Sequence, residues 1–276
     1  MPMLVCLGLG YCARHYVTEF GQRFDRIVGT SRSADEMAAL AARRFGGRTV
    51  EMQLFDGKTA SPEVRAAIAD AEALLISAAP ADGADPVLAV LEDDILRADA
   101  LRMIVLLSTL GVYADSNGAW IDESAEVIPD LARRGSARRE AEMAWQALGA
   151  RRSLPVAILR LGGIYGPGQN AMIRLQRGAA HRIAKPGHVS NRVHVFDVAQ
   201  AIGAAFERRM DGAGGDVALE PGRYLAEHCS TIGLIVEPYY RQKHRLLERA
   251  KDIGHCDYIV AIRSSESSGP KIRGAD

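Results

Sequence analysis

The sequence predicts an α/β protein built on a doubly wound parallel β-sheet, with helices on both faces. Over residues 1–110, short apolar runs alternate with amphipathic stretches of helical period. The run Met103–Leu107 is apolar throughout, as expected for a parallel strand that is buried on both faces. Two helix starts carry a capping residue followed by proline, at Ser61-Pro62 and Asp85-Pro86. Such an alternation of strands and helices is typical of a doubly wound sheet.

The elements follow one another along the chain. The predicted strands are Met3–Leu7, Ile27–Thr30, Thr49–Leu54, Ala73–Ile76, Met103–Leu107 and Val156–Leu161. The predicted helices are Asp35–Arg44 with Ser33 as its cap, one that opens at Ser61, one from Asp85 to about Ala100, and Ser136–Leu148. Residues 1–161 therefore form the first predicted domain.

Beyond Leu161 the pattern is looser. We predict a turn-rich loop at Gly162–Gly168, a short helix at Asn170–Arg177 and an amphipathic helix at Asp197–Met210. Residues 162–220 are assigned to a small substrate lobe and to elements that return to the core. Residues 221–276 form a C-terminal segment of different composition, with four alanines against thirty-nine in 1–220. A domain boundary and a shifted reading frame would both produce this change, and resequencing the gene would separate them.

Composition narrows the class of protein. The chain has 276 residues, 48% of them apolar, and no net charge, so no general attraction to nucleic acid or to anionic membranes is expected. No apolar run is long enough to span a bilayer. The four cysteines form no disulfide framework, which favours a cytoplasmic location. The pairs His228-Cys229 and His255-Cys256 lack zinc-site spacing, so we expect no metal.

The first strand leads into a glycine turn with the sequence Gly8-Leu9-Gly10-Tyr11-Cys12-Ala13. This is the G-x-G-x-x-G/A pattern that binds the pyrophosphate of a dinucleotide. Gly8 permits the tight turn, Gly10 leaves room for the pyrophosphate, and Ala13 lets the helix lie close to the strand. The helix start at Tyr11, Cys12 and Ala13 offers free N–H groups and a positive dipole end to the phosphates.

The end of the second strand predicts which dinucleotide binds. An acid usually accepts the adenosine ribose 2′-hydroxyl of NAD there, but this strand ends Thr30-Ser31-Arg32. Two hydroxyls and a guanidinium suit a 2′-phosphate, so NADP is favoured over NAD. The alternative is that Arg32 is a solvated loop residue and the cofactor is NAD.

Two further segments contribute to the predicted adenosine site. Asp56 either accepts from the adenine amino group or is a turn residue, and the sequence leaves both open. Ser77 and Ala78 close the fourth strand with small side chains, which suits a wall against which the dinucleotide packs.

Five motifs in family order resemble the short-chain dehydrogenase/reductase superfamily, in its extended NAD-dependent epimerase/dehydratase branch with a Rossmann-type fold. They cover roughly residues 3–210 and are Gly8–Ala13, Thr30–Arg32, Ser108–Tyr113, Arg160–Gly168 and Arg192–Ala199. The resemblance implies that Thr109, with Ser108 beside it, hydrogen-bonds the reacting oxygen. It also implies that substrate binds in the second lobe near Arg192 and His194, and that the substrate is a nucleotide sugar or a similar polar small molecule.

The family's Tyr-x-x-x-Lys pair is missing. Because Glu142 matches a glutamate that the family places four residues after its lysine, Arg138 falls at the lysine position and Arg134 at the tyrosine position. Arginine can replace the lysine as a cation near the cofactor, but it cannot serve as an acid or base. Tyr113 is then the better remaining candidate for proton transfer, ahead of Tyr165, and its alternative is a packing role. The overall form resembles the atypical members of the superfamily, which often lack the tyrosine.

Two functions from different classes remain. The first is an NADP-dependent oxidoreductase or epimerase acting on a polar small molecule, and the second is a non-catalytic NADP-binding redox sensor. A flavin or adenosylmethionine enzyme would explain Gly8 and Gly10 but not the later motifs. A small-molecule substrate is the expected partner, and a homodimer is left open.

Overall fold

A computed structural model describes residues 2–80, 84–113, 133–179 and 191–210. Its strands are β1 (Met3–Leu7), β2 (Arg26–Ser31), β3 (Glu51–Leu54), β4 (Ala73–Ile76), β5 (Met103–Thr109), β6 (Val156–Leu161), β7 (Gly163–Tyr165) and β8 (Arg192–His194). Its α-helices are α1 (Tyr11–Phe20), α2 (Ala34–Ala41), α3 (Pro62–Asp70), α4 (Leu88–Arg97), α5 (Arg133–Arg152), α6 (Ala171–Gln176) and α7 (Val195–Met210). Short 3₁₀ turns follow α1 and β5.

The main sheet has the strand order β3-β2-β1-β4-β5-β6, and every neighbouring pair is parallel. The order reverses between β1 and β4. In open α/β sheets, ligands bind outside the carboxyl ends of the strands at such a reversal. The glycine turn begins directly after β1, so the topology places it at this point.

Apolar residues on both faces of the strands explain why helices cover both faces of the sheet. Along β1, Leu4 and Cys6 join a core with α1 and α7, whereas Val5 and Leu7 join a core with α3, α4 and α5. Side chains of a strand alternate between faces, so a continuous apolar run supplies both cores. The predicted doubly wound sheet is confirmed.

Capping residues set two helix starts as predicted. The hydroxyls of Ser33 and Ser61 accept hydrogen bonds from the N–H groups of Glu36 and Val64 at the starts of α2 and α3. Other bounds differ: α2 ends at Ala41, and α4 covers only Leu88–Arg97. Asp85 accepts hydrogen bonds from the N–H groups of Val87 and Leu88. It therefore caps the turn that precedes α4, and the regular helix begins only at Leu88.

The prediction that Gly162–Gly168 is wholly a loop is wrong in part. Its residues Gly163–Tyr165 form β7, which pairs in parallel with β8. This two-stranded sheet and α6 lie between β6 and α7 in the chain. The sequence did not indicate this strand, because it has only three residues, lies between glycines, and pairs with a strand that is far away in sequence.

The C-terminal segment 221–276 and both His-Cys pairs lie outside the described residues. Within the described ranges, Cys6 and Cys12 are buried free thiols. No helix in those ranges is long and apolar enough to cross a membrane. The same part of the chain contains no group of three or more His, Cys, Asp or Glu residues that could hold a metal ion.

Candidate dinucleotide site

The glycine turn after β1 requires glycine at its first position. Gly8 has φ +90°, a conformation that side chains disfavour, and its N–H donates to the Thr30 hydroxyl at 2.8 Å. A β-carbon on Gly8 would lie 3.1 Å from the backbone nitrogen of Ala78. The turn is therefore fixed between the ends of β2 and β4.

Gly10 is different, because the protein itself does not require glycine there. Its φ of −78° suits any residue. Within the described part of the chain, an added β-carbon would meet only the Ser77 hydroxyl, at 3.4 Å, which is an ordinary contact. Among the described residues, no side chain caps the N-terminus of α1, where Tyr11, Cys12 and Ala13 begin the helix. A site with free N–H groups and no β-carbon in front of them fits a pyrophosphate. The residues present therefore fit a dinucleotide.

At the end of β2 the hydroxyls are already engaged. Thr30 is 2% exposed and accepts from Gly8, so it does not face a 2′-phosphate as the sequence suggested. The buried Ser31 hydroxyl donates to the carboxylate of Glu36 at 2.6 Å. Arg32 is exposed. The end of β2 thus presents one guanidinium and, unexpectedly, one carboxylate.

Sequence reasoning missed Glu36 because it looked for an acid only at the end of the strand. The acid instead comes from the first turn of α2, five residues beyond Ser31. The spacing Ser33-x-x-Glu36 is that of a capping box and could have indicated a glutamate that folds back towards the strand.

The adenosine-side residues are partly accounted for by local structure. Asp56 accepts from the N–H groups of Thr59 and Lys58, and these hydrogen bonds lower its pKa. The structure therefore shows Asp56 as a turn residue, and its contact with adenine stays a prediction. Ser77 and Ala78 are half-buried, and both of their N–H groups donate to the carbonyl of Leu7, the residue before the glycine turn. Packing of a dinucleotide against them stays a prediction.

At the carboxyl end of β5, a buried polar network links three elements. Ser108 and Arg160 are neighbours across β5 and β6, and Glu142 reaches them from α5. The Ser108 hydroxyl donates to Glu142 at 2.5 Å, and Arg160 donates to the same carboxylate at 2.8 Å. The Glu142 side chain is 1% exposed and that of Arg160 is 16% exposed. Ser108 is therefore committed to the protein's own structure.

The same guanidinium holds Tyr113. Arg160 donates to the Tyr113 hydroxyl at 2.6 Å and lies 4.9 Å above the ring centroid. Burial lowers the pKa of Arg160, but hydrogen bonds to Glu142 and Tyr113 outweigh it, so the pKa is raised overall. Because Arg160 is the donor, the phenolic proton of Tyr113 is left free for another acceptor.

Thr109 is the last residue of β5, and Arg138 lies on α5; their predicted roles stay predictions. The Thr109 hydroxyl oxygen accepts from the N–H of Gly111 at 3.2 Å, so its proton can still be donated. Arg138 is half-buried and donates to the carbonyl of Leu107. Burial lowers the pKa of Arg138, and the negative charges of Asp85 and Glu142, which raise it, offset only part of this effect. The side chain of Arg134 lies outside what the structure describes.

The loop that follows β7 contacts the start of α1. The Tyr11 hydroxyl donates to the carbonyl of Pro167 at 3.1 Å, and a β-carbon on Gly166 would lie 2.7 Å from that hydroxyl. His194 packs edge-on against Tyr165, with ring centroids 5.1 Å apart. Arg192 is exposed and His194 is half-buried. Both predicted substrate residues lie on β8, and a β-carbon on Gly166 would also lie 3.3 Å from the Nε2 of His194.

Asp197, in the first turn of α7, is a buried carboxyl group. It is 8% exposed, and burial raises its pKa from 3.8 to about 6. Its charged form is therefore disfavoured relative to that of an exposed aspartate, and it predominates only above about pH 6.

The solved structures include a relative at substantial sequence identity. A functionally unknown conserved protein from Silicibacter pomeroyi is 41% identical, with 77% of this chain and 70% of that chain covered and a TM-score of 0.64. No protein-family model and no curated protein sequence matches the chain.

More distant structures share the fold. A putative NAD-dependent epimerase/dehydratase from Methylobacillus flagellatus is 20% identical over 94% of this chain and 85% of its own, with a TM-score of 0.57. A UDP-glucose 4-epimerase from Stenotrophomonas maltophila with bound NAD is 21% identical over 76% and 75%, also with a TM-score of 0.57. The predicted resemblance to the NAD-dependent epimerase/dehydratase branch is confirmed for the fold.

Proposed function

Because this chain belongs to the same family as the functionally unknown Silicibacter pomeroyi protein, and has the fold of the NAD-dependent epimerase/dehydratase branch of short-chain dehydrogenases/reductases, we propose that it is an NADP-dependent oxidoreductase or epimerase. Its substrate would be a nucleotide sugar or another polar small molecule.

One observation carries the proposal of a bound dinucleotide. The turn at Gly8 and Gly10 lies where the strand order reverses, and Gly10 is a glycine that the protein's own packing does not need. A ligand that approaches the backbone explains this residue, and the open N-terminus of α1 favours an anionic one.

The catalytic proposal assigns roles to side chains beyond β5. A bound nicotinamide cofactor supplies hydride transfer. Thr109 donates its free proton to the substrate oxygen that gains or loses charge. Tyr113 supplies or accepts a proton at its phenolic oxygen, where Arg160 stabilises negative charge. Arg138 replaces the family's lysine as a fixed positive charge at this end of the sheet.

Substrate binding is proposed for the small lobe. Arg192 is an exposed guanidinium suited to a phosphate or carboxylate, and His194 is an imidazole beside Tyr165. The Stenotrophomonas maltophila structure with a formylated UDP-arabinopyranose supports this substrate class, since it holds such a molecule on the same fold.

The choice of NADP is proposed from Arg32, an exposed guanidinium directly after β2. We expect Arg32→Ala to weaken NADPH binding about tenfold, since a charge-assisted contact to the 2′-phosphate is lost, and to leave NADH within about twofold. Calorimetric titration of both cofactors into wild type and variant measures this. Arg97→Ala, an exposed charge at the end of α4, is the control. Equal losses for NADPH and NADH would contradict the 2′-phosphate contact.

A second candidate is an NADP-binding module without turnover. Arg138 in place of the family's lysine, and the commitment of Ser108 to Glu142, favour it. Hydride transfer from bound NADPH to a panel of carbonyl compounds separates the two functions. Turnover that Thr109→Val removes supports an enzyme, whereas tight NADPH binding with no transfer supports the sensor.

A further inference from the structure

Two residues of opposite charge lie beside Ser31 at the carboxyl end of β2. Arg32 follows it directly, and Glu36 reaches it from the first turn of α2. In a capping box, the glutamate would return to the N–H of the capping residue, here Ser33. Instead, Oε2 of Glu36 accepts a hydrogen bond from the Ser31 hydroxyl, with the two oxygens 2.6 Å apart.

This arrangement uses the hydrogen-bonding capacity of Ser31. Its hydroxyl donates its only proton to Glu36 and accepts from the N–H of Ser33 at 3.4 Å. Ser31 therefore cannot donate to a phosphate while it holds Glu36. The carboxylate of Glu36 can only accept hydrogen bonds. It can therefore accept one from a ribose 2′-hydroxyl, whereas its negative charge repels a 2′-phosphate.

We infer that Glu36 limits the site's preference for NADP, so that the protein also accepts NAD. Arg32 attracts the 2′-phosphate, and Glu36, fixed by Ser31, opposes it and offers an acceptor to the 2′-hydroxyl. The inference rests on the proposed function, because it needs a dinucleotide whose adenosine ribose lies at the end of β2.

Glu36→Gln tests this, because glutamine keeps the length and an oxygen for Ser31 and removes only the charge. Dissociation constants for NADPH and NADH are measured by calorimetry in wild type, Glu36→Gln and Asp35→Asn. Asp35 is the matched control, since it is an exposed acid in the same first turn of α2. We expect NADPH to bind about tenfold more tightly in Glu36→Gln, while NADH changes by no more than about threefold and Asp35→Asn changes the ratio by less than about twofold.

Because Glu36 is exposed, raising the salt concentration should reduce the gain. A ratio of the two constants that Glu36→Gln leaves within about twofold of wild type overturns the inference, as does an equal effect of Asp35→Asn. Both outcomes leave the proposed function standing. Failure of wild type to bind either cofactor overturns the proposed function, and the inference with it. Thermal unfolding of each variant confirms that a folded protein is compared, and Glu36→Ala repeats the test if glutamine is not tolerated.

Discussion

Replacing Glu142 by glutamine is expected to lower the free energy of unfolding by about 3 kcal/mol, because it leaves a largely buried guanidinium without its counter-charge. Glu142 is 1% exposed and is the only carboxylate that pairs with Arg160 among the described residues. It also accepts the Ser108 hydroxyl, so the change loosens β5, β6 and α5 together. Urea unfolding followed by circular dichroism measures the loss.

Two comparisons make this expectation specific. Glu140→Gln removes an exposed charge from the same helix and should cost less than about 0.5 kcal/mol. The double variant Glu142→Gln/Arg160→Met should be more stable than the sum of the single effects implies, since it leaves no unpaired buried charge. Additive losses would show that Glu142 and Arg160 do not act as a pair.

Asp197 should make the protein less stable as the pH rises. Its pKa is about 6 in the folded chain against 3.8 as the ordinary value, so the folded state holds a proton that the unfolded state has already lost. The free energy of unfolding therefore falls between about pH 4 and pH 6, by about 3 kcal/mol in total. Urea unfolding at pH 4.5 and pH 7.5 should show this extra fall in wild type and not in Asp197→Asn.

The control for this pH effect is Asp93→Asn on α4, where the carboxylate is exposed. It should retain the wild-type pH dependence. If Asp197→Asn also retained it, the carboxyl group would be ionised in the folded protein, and burial at the start of α7 would not be the cause.

The sheet was predictable because its signals are local. The buried parallel strand β5 contains the continuous apolar run Met103–Leu107, and Ser33 and Ser61 mark helix starts by chemistry that acts within one turn. The glycine turn was predictable for the same reason, since Gly8 and Gly10 follow the first strand directly. What these patterns could not indicate was that only Gly8 is demanded by the protein's own packing.

The network beyond β5 was not predictable, because it depends on contacts across the fold. Ser108 was expected beside Thr109 among the residues that act on the substrate, and its hydroxyl donates to Glu142, thirty-four residues away. Arg160 lies in a family motif that assigns it no role, and only the register of β5 and β6 places it beside Ser108 and Tyr113. Glu36 was missed because the polypeptide folds it back onto Ser31.

Titration of NADPH into wild type and Gly10→Ala tests whether the turn at Gly8 and Gly10 holds a nicotinamide dinucleotide. An alanine β-carbon would meet the Ser77 hydroxyl at 3.4 Å, so the variant should fold with a melting temperature close to wild type. The same methyl group would stand where the pyrophosphate approaches, so we expect NADPH binding to weaken by about a hundredfold or more. Wild type that binds no NADPH, or Gly10→Ala that binds it as tightly as wild type, would show that this turn does not hold the dinucleotide.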